Sequence, residues 1–228
     1  MLIGNTAFDK LANSCVAIFG VGGVGSYAAE AVARCGVGKI ILVDADTVSK
    51  SNINRQIIAL DSTVGKSKVE VAKQRIFDIN PKAQVQAYNI FYSDETENSI
   101  DLNGVSFIID AIDSVSSKIL LIKRANEHGI PIISCMGTGN KLCPEMLEIT
   151  DIYKTEGCPL AKVLRQKLKK EGIVSLPVIY SKEKPQTPLL DEEFSDTFKK
   201  IPISSISFVP SVAGLIAASY CIKKIAEI

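Results

Sequence analysis

The 228-residue sequence carries 26 basic and 25 acidic side chains, which gives a formal net charge of +1. This balance excludes a protein that binds nucleic acid through bulk charge alone, although a local basic face stays open. With 46% hydrophobic residues and ordinary amounts of glycine and proline, the chain indicates neither disorder nor a fibrous repeat. Its length suits one domain with a sizeable core.

The cysteines and the apolar segments indicate the compartment. No two of the six cysteines form a C-x-x-C pair, so neither a zinc site nor a thioredoxin-type redox site is predicted. Cys15, Cys35 and Cys221 lie in apolar runs and are expected to be buried free thiols. No signal peptide is recognised at the start. The uncharged stretch 206–222 is expected to be a core helix, so we predict a cytoplasmic protein without stable membrane insertion.

The first half of the chain alternates between short apolar runs and helical patterns. Strands are predicted at 15–20, 39–44, 84–90, 105–113 and 130–135. Helices are predicted after the first strand through Ala33, at about 66–79 and at 116–128, with a short polar helix before the fourth strand. This alternation indicates an α/β fold, a Rossmann-like doubly wound and mostly parallel sheet.

The second half adds C-terminal strands and helices to that sheet. Strands are predicted at 146–153 and 173–181, an amphipathic helix at 159–172, and an apolar helix from Pro210 to about Glu227. The polar stretch 182–202 is predicted to be a long mobile loop, which in a compact domain more often has a function. We predict a single domain over 1–228, with a nucleotide-binding part at about 10–140 and a substrate or dimer part at about 141–228.

A glycine-rich turn follows the first strand. The sequence GVGGVG at 20–25 fits G-x-G-x-x-G directly between a strand and a helix, where backbone amides can approach a phosphate. Asp44 closes the second strand, and a carboxylate there can accept hydrogen bonds from both ribose hydroxyls. A tight turn without a ligand is the alternative interpretation.

Polar side chains follow at the same edge of the predicted sheet. Asp46 precedes the cluster SNINRQ at 51–56, and Lys68 begins the next helix. An arginine and a lysine directed at a glycine turn favour a polyphosphate over a dinucleotide. Asp113, after the fourth strand, is placed to hold Mg²⁺ against those phosphates. Taken singly, Arg55 and Lys68 are also consistent with surface cations, and Asp113 with a helix N-cap.

These motifs resemble the ubiquitin-activating-enzyme-like (ThiF/MoeB/HesA) superfamily of adenylating enzymes. The resemblance implies a site for ATP and Mg²⁺, with Asp44 at the ribose, Gly23 at the phosphates and Asp113 as the metal ligand. It implies catalysis by Arg55, Lys68 and Asp113. The residues that it assigns to the nucleotide are Gly20, Gly22, Gly23, Gly25, Asp44, Asp46, Asn52, Arg55, Gln56, Lys68, Asp113 and Ser114.

The branch of this superfamily is indicated by further segments. Branches that adenylate a sulfur-carrier protein usually have two C-x-x-C pairs for zinc, and this chain has none. The segments 110–118, 150–170, 178–185 and 208–219 are similar to the tRNA threonylcarbamoyladenosine dehydratase branch. That likeness implies that ATP activates the threonylcarbamoyl carboxylate, which then cyclises with net loss of water. It implies tRNA as substrate and a homodimer, and it admits a cysteine-desulfurase-type sulfur-transfer partner.

Two features bear on those partners. The helix 159–172 carries five basic residues and one acidic residue, a face that suits a phosphate backbone or simply solvent. The small-residue stretch Ser211–Ser219 suits either a subunit interface or core packing. Family members usually have an arginine in an N-terminal segment that reaches the neighbouring subunit's ATP site, whereas the first arginine here is Arg34.

Three other functions stay open at this stage. The first is an adenylyltransferase of a small ubiquitin-like sulfur carrier. The second is a nucleotide-binding partner without turnover, which the absence of that N-terminal arginine would favour. The third and most distant is a nicotinamide-dependent dehydrogenase. Each is distinguished from the dehydratase by what it binds or turns over.

Overall fold

The computed structural model describes residues 2–187 and 203–228. Most of the predicted loop at 182–202 therefore lies outside the described residues. The helices are α1 (Gly4–Ala12), α2 (Gly25–Arg34), α3 (Lys68–Ile79), α4 (Val115–Glu127), α5 (Pro159–Lys170) and α6 (Phe208–Ala226). The strands are β1 (Cys15–Phe19), β2 (Lys39–Val43), β3 (Gln84–Tyr88), β4 (Phe107–Asp110), β5 (Ile132–Cys135), β6 (Leu147–Asp151) and β7 (Pro177–Ser181).

One seven-stranded sheet runs through the domain in the order β3-β2-β1-β4-β5-β7-β6. Neighbouring strands are parallel except for β6, which pairs antiparallel with β7 at one edge. The predicted α/β Rossmann-like, mostly parallel sheet is thus confirmed. Because β1 leads to β2 on one side and has β4 on the other, a crevice opens between the carboxyl ends of β1 and β4, where ligands of such sheets bind.

The sheet is apolar on both faces because helices cover both. Every residue of β1 and of β4 is buried, as expected for central parallel strands. The helices α2, α3 and α6 pack on one face, and α4 packs on the other. The short polar helix expected before β4 is a single turn of 3-10 helix at Glu97–Ser99.

The last helix, α6, lies against α2 at close range. A methyl group on Gly214 would come within 2.3 Å of the Val24 carbonyl oxygen, so only glycine permits this approach. Ser211, Ala213 and Ala217 are buried in the same contact, so the small-residue stretch serves core packing. This helix is long and apolar enough to cross a membrane, but 44% of its most apolar window is buried within the protein.

Several local expectations were wrong. Cys35, expected in the core, is exposed because it ends α2 just before Gly36, where the backbone leaves the core (φ 85°). The N-cap of α4 is Ser114 and not Asp113. The helix α1 had no counterpart among the predicted elements, since it is short and has only Ala7 and Leu11 in the core.

Candidate nucleotide site

The glycine turn lies at the carboxyl end of β1, against the end of β4. Gly20 has a φ of 85°, and a methyl group there would come within 2.5 Å of the Ala111 carbonyl oxygen. On Gly25 a methyl group would lie 1.8 Å from the Gly20 carbonyl oxygen. On Gly22, by contrast, the nearest atom would be Gln56 Nε2 at 3.8 Å. Gly20 and Gly25 therefore shape the turn, whereas Gly22 leaves open space.

Gly23 faces a neighbour that the sequence pattern does not reveal. A methyl group at this position would lie 3.1 Å from Cβ of Pro210 and 3.5 Å from Cγ of Arg55. The start of α6 therefore covers one side of the glycine turn. Its role at the phosphates, which the resemblance implies, stays a prediction.

Asp44 holds the glycine turn from the end of β2. Its half-buried carboxylate accepts hydrogen bonds from the backbone N–H of Val21 (2.7 Å) and of Asp46 (2.8 Å). Each oxygen is thus oriented by one backbone donor, and each keeps further acceptor capacity. The contact of this carboxylate with a ribose, which the resemblance implies, stays a prediction.

Lys68 is held at this edge by Asp46. The Lys68 ammonium lies 2.6 Å from Asp46 Oδ2, and the Lys68 backbone N–H donates to the Asp46 carbonyl oxygen at 3.0 Å. The lysine side chain is only 6% exposed, whereas that of Asp46 is 70% exposed. Asp46 therefore holds the side chain and the backbone of Lys68, whose contact with a nucleotide stays a prediction.

The SNINRQ segment places its polar side chains unequally. Asn52 is buried, and its Oδ1 accepts the Ser49 backbone N–H at 3.1 Å, which closes a turn of 3-10 helix. Arg55 lies half-exposed beside Gly23, and its Nη1 donates to Asn54 Oδ1 at 2.9 Å. Gln56 is buried, and its Oε1 has no hydrogen-bond partner among the described residues. The segment thus brings Arg55 and Gln56 to the glycine turn, while Asn52 shapes the segment itself.

Asp113 and Ser114 lie on the turn between β4 and α4. The Asp113 side chain is exposed, and the Ser114 hydroxyl lies 3.0 Å from that of Ser116. No group of three or more histidine, cysteine, aspartate or glutamate side chains in 2–187 and 203–228 is placed to hold a metal ion. One carboxylate suffices for Mg²⁺ when nucleotide phosphates supply other ligands, so Asp113 fits the role.

A buried polar network under this turn was missed by the sequence interpretation. Asp110, Lys118 and Ser134 are all fully buried. The Lys118 ammonium lies 2.9 Å from Asp110 Oδ2, and the Ser134 hydroxyl donates to the same oxygen at 2.5 Å. A serine inside the apolar run of β5 was the one signal in the sequence, because buried hydroxyls need partners.

The chain matches the ThiF family over residues 1–228. It is 47% identical over 230 residues to a tRNA threonylcarbamoyladenosine dehydratase of Bacillus subtilis, covering 97% of this chain and 91% of that protein. It is 34% identical over 241 residues to the Escherichia coli dehydratase of the same name, covering 98% and 90%.

The fold is also similar to a solved structure. The E. coli tRNA N6-threonylcarbamoyladenosine dehydratase TcdA, in complex with ATP, superimposes with a TM-score of 0.89 at 34% identity, over 99% of this chain and 91% of that chain. A second structure of the same enzyme, in complex with AMP, superimposes equally well. The similarity runs through both halves of the sheet, the glycine turn and the helix α6 that covers it, and on this evidence the chain belongs to the ThiF family.

Proposed function

We propose that this protein is an ATP-dependent tRNA threonylcarbamoyladenosine dehydratase. The observation that carries the proposal is the 47% identity to the B. subtilis dehydratase over 97% of the chain. Since the similarity includes the second half, it extends beyond the nucleotide site that adenylating enzymes share. The glycine turn, Asp44 and the two cations Arg55 and Lys68 support ATP as the activating substrate.

In the proposed reaction a carboxylate oxygen of the threonylcarbamoyl group attacks the α-phosphate of ATP, and pyrophosphate leaves. The activated carboxyl is then attacked from within the same group, so that AMP leaves and the modification has lost one water in net terms. Arg55 and Lys68 would stabilise the charge that develops on the α-phosphate. Mg²⁺, held by Asp113 and the phosphates, would supply further charge neutralisation. Such self-cyclisation depends on positioning more than on an external nucleophile.

The reaction is tested by a single turnover with ATP, Mg²⁺ and threonylcarbamoylated tRNA, followed by mass spectrometry of the nucleosides. We expect the modified adenosine to lose the mass of one water with the wild-type protein. Asp113→Ala should abolish the loss, and Asp61→Ala, an exposed carboxylate on another loop, should not. ATP binding without any change of mass would contradict the proposal and favour a non-catalytic partner. ATP–pyrophosphate exchange that needs a carrier protein and no tRNA would favour the adenylyltransferase.

We also propose that the protein is a homodimer through the outer face of α6. On this face Leu215 is 48% exposed and Ile149 of β6 is 39% exposed, and both line a shallow groove of about 310 Å³. Two copies that paired these apolar faces would cover them. The interface thus uses the side of α6 opposite to its small residues.

The dimer is tested by sedimentation velocity. Leu215→Glu should shift a wild-type dimer to a monomer, because a carboxylate cannot be buried there without a partner. Val174→Glu changes a residue that is 88% exposed and should leave the dimer intact. A wild-type protein that sediments as a monomer would overturn the proposal.

The remaining partners are also proposals. A tRNA substrate supports the expected cytoplasmic location. The cysteine-desulfurase-type sulfur-transfer partner stays a prediction from the sequence, and co-purification with such an enzyme would test it. The tRNA itself would meet the basic face of α5, for which the salt dependence of binding provides a measurement.

A further inference from the structure

An ion pair is buried completely beneath the turn that carries Asp113. Asp110 at the end of β4 and Lys118 in the first half of α4 are each 0% exposed, and their charged atoms are 2.9 Å apart. Ser134 of β5 completes the group, since its hydroxyl lies 3.2 Å from the Lys118 ammonium as well as 2.5 Å from Asp110 Oδ2. None of these three side chains is exposed to a bound nucleotide or to solvent.

Such a group adds little to the stability of a core. Removing two charges from water costs several kcal/mol per ion, and the attraction between them often does no more than offset that cost. Three apolar side chains of similar volume would fill the same space without the desolvation penalty. We therefore look for the role of this group in the position of the segments that it joins, and not in the stability of the core.

That geometry fixes the turn at both of its ends. The second carboxylate oxygen of Asp110 accepts the backbone N–H of Ile112 at 3.1 Å, immediately before Asp113. At the other end, the backbone N–H of Lys118 donates to the Ser114 carbonyl oxygen at 3.0 Å, the ordinary first-turn bond of α4, so Lys118 lies one helical turn after the residue that follows Asp113. The ion pair joins these two anchor points across the turn. The Ala111 backbone N–H also donates to the Phe19 carbonyl oxygen at 2.8 Å, which ties the same turn to the end of β1.

We propose that Lys118 is a positioning residue for Asp113: its bridge to Asp110 sets the distance between β4 and α4 and so the place of the carboxylate beside ATP. The inference rests on the proposed function, in which Asp113 faces Mg²⁺. The ammonium of Lys118 forms its ion pair with Asp110 and not with the exposed Asp113 carboxylate. Asp113 is exposed and has no ion-pair partner among residues 2–187 and 203–228, which suits a divalent cation.

The test compares ATP affinity in Mg²⁺ with ATP affinity in EDTA, measured by isothermal titration calorimetry. Lys118→Met should abolish most of the strengthening by Mg²⁺, about tenfold to a hundredfold for a group that orients a metal ligand. Binding in EDTA, which depends on the glycine turn, Arg55 and Lys68, should stay within about twofold, because only the metal ligand has moved. Lys123→Met, on the same helix but 38% exposed, should behave as wild type.

A double variant keeps the test decisive. Should Lys118→Met fail to fold because Asp110 is left buried without its cation, the double variant Asp110→Asn/Lys118→Met removes both charges and the bridge together. It should fold and still lose the preference for Mg²⁺, and a folded double variant that keeps the preference would overturn the inference. A loss of affinity that is equal in Mg²⁺ and in EDTA would also overturn it, since that pattern indicates a general structural defect.

Asp113→Ala separates this inference from the function on which it rests. If Asp113→Ala keeps the preference for Mg²⁺, Asp113 is not the metal ligand, and the proposed site fails whatever Lys118 does. If Asp113→Ala loses the preference but a folded Lys118 variant retains it, the site stands and the positioning role is wrong. The inference is supported only when both lose the preference and keep the affinity in EDTA.

Discussion

Two glycines in one turn differ in what an added methyl group would meet. At Gly25 the methyl would lie 1.8 Å from a backbone oxygen, which cannot move without moving β1. At Gly22 the nearest atom would be 3.8 Å away, an ordinary contact. One glycine is therefore needed for the backbone to close, and the other leaves a space that a phosphate can enter.

The variants Gly25→Ala and Gly22→Ala test this difference through their stability and their affinity for ATP. Gly25→Ala should lower the free energy of unfolding by about 2–3 kcal/mol or prevent folding, because the overlap falls on backbone. Gly22→Ala should stay within about 0.5 kcal/mol of wild type in urea unfolding, as surface changes usually do. It should still weaken ATP binding about tenfold, or 1.4 kcal/mol, because the methyl takes the space of the phosphate. Equal stability of the two variants would contradict this assignment.

At the scale of single residues, the sequence predicted where polar side chains lie better than how deeply they are buried. Asp44 and Lys68 lie at the edge of the sheet where the motif spacing put them. The spacing could not show that Asp46 holds Lys68, since that contact depends on how the loop after β2 folds back. Nor could it show that Lys118 is buried, because a lysine in a helical pattern is exposed in most proteins.

The helices α2 and α3 are joined by one carboxylate. Glu30 of α2 is 10% exposed in its side chain, and it accepts hydrogen bonds from Arg75 of α3 at 2.5 Å and 3.1 Å and from Arg34 at 2.8 Å. Although burial alone would raise the pKa of Glu30, these two guanidinium groups lower it below its ordinary value. The charged form is therefore favoured by folding.

Glu30→Gln should destabilise the protein by about 1 kcal/mol near neutral pH, a modest value because both arginines are partly exposed. Since the folded pKa is lowered, the contribution is complete above the unfolded value of about 4.5 and is lost as pH falls through the folded pKa. The difference between wild type and variant in chemical unfolding should thus shrink below about pH 4. Glu70→Gln, an exposed residue of α3, should show a much smaller difference at both pH values. A Glu30 effect that is constant with pH would contradict the charge argument.

At the scale of elements, local patterns predicted nearly every strand and helix. The positions of β6 and β7 in the sheet were not predicted. The later strand β7 pairs with β5, and the earlier strand β6 lies at the edge beyond it. Strand pairing between distant segments depends on tertiary contacts, which periodicity does not contain. The helix α1 was also missed, since it has only nine residues and places only Ala7 and Leu11 in the core.

On the scale of the whole molecule, the net charge is close to zero, yet α5 carries a local basic face. The lysines of α5 that are exposed are Lys162, Lys167, Lys169 and Lys170. Arg165, counted in this face from the sequence, instead binds the Thr155 carbonyl oxygen at 2.8 Å. The face that tRNA would meet is therefore made of lysines, whose affinity for phosphates falls with salt.

Replacing Lys162 and Lys169 with alanine should weaken tRNA binding and reduce the salt slope of log K by about one for each lost phosphate contact. Lys82→Ala removes an exposed lysine before β3, at the edge of the sheet opposite to the nucleotide, and should leave the slope unchanged. Fluorescence anisotropy of labelled tRNA across a range of KCl concentrations provides the measurement. Equal slopes for all three proteins would mean that α5 does not contact the tRNA backbone.

The packing of α6 on the glycine turn has a consequence for biosynthesis. Gly23 and Val24 emerge from the ribosome early, but the residues that cover them, Pro210 and Gly214, are made near the other end of the chain. A nascent chain stalled before α6 contains the glycine turn but not the helix that covers it, and the apolar side of α2 then faces water. ATP affinity should therefore arise late in synthesis, in one step, when the final helix docks.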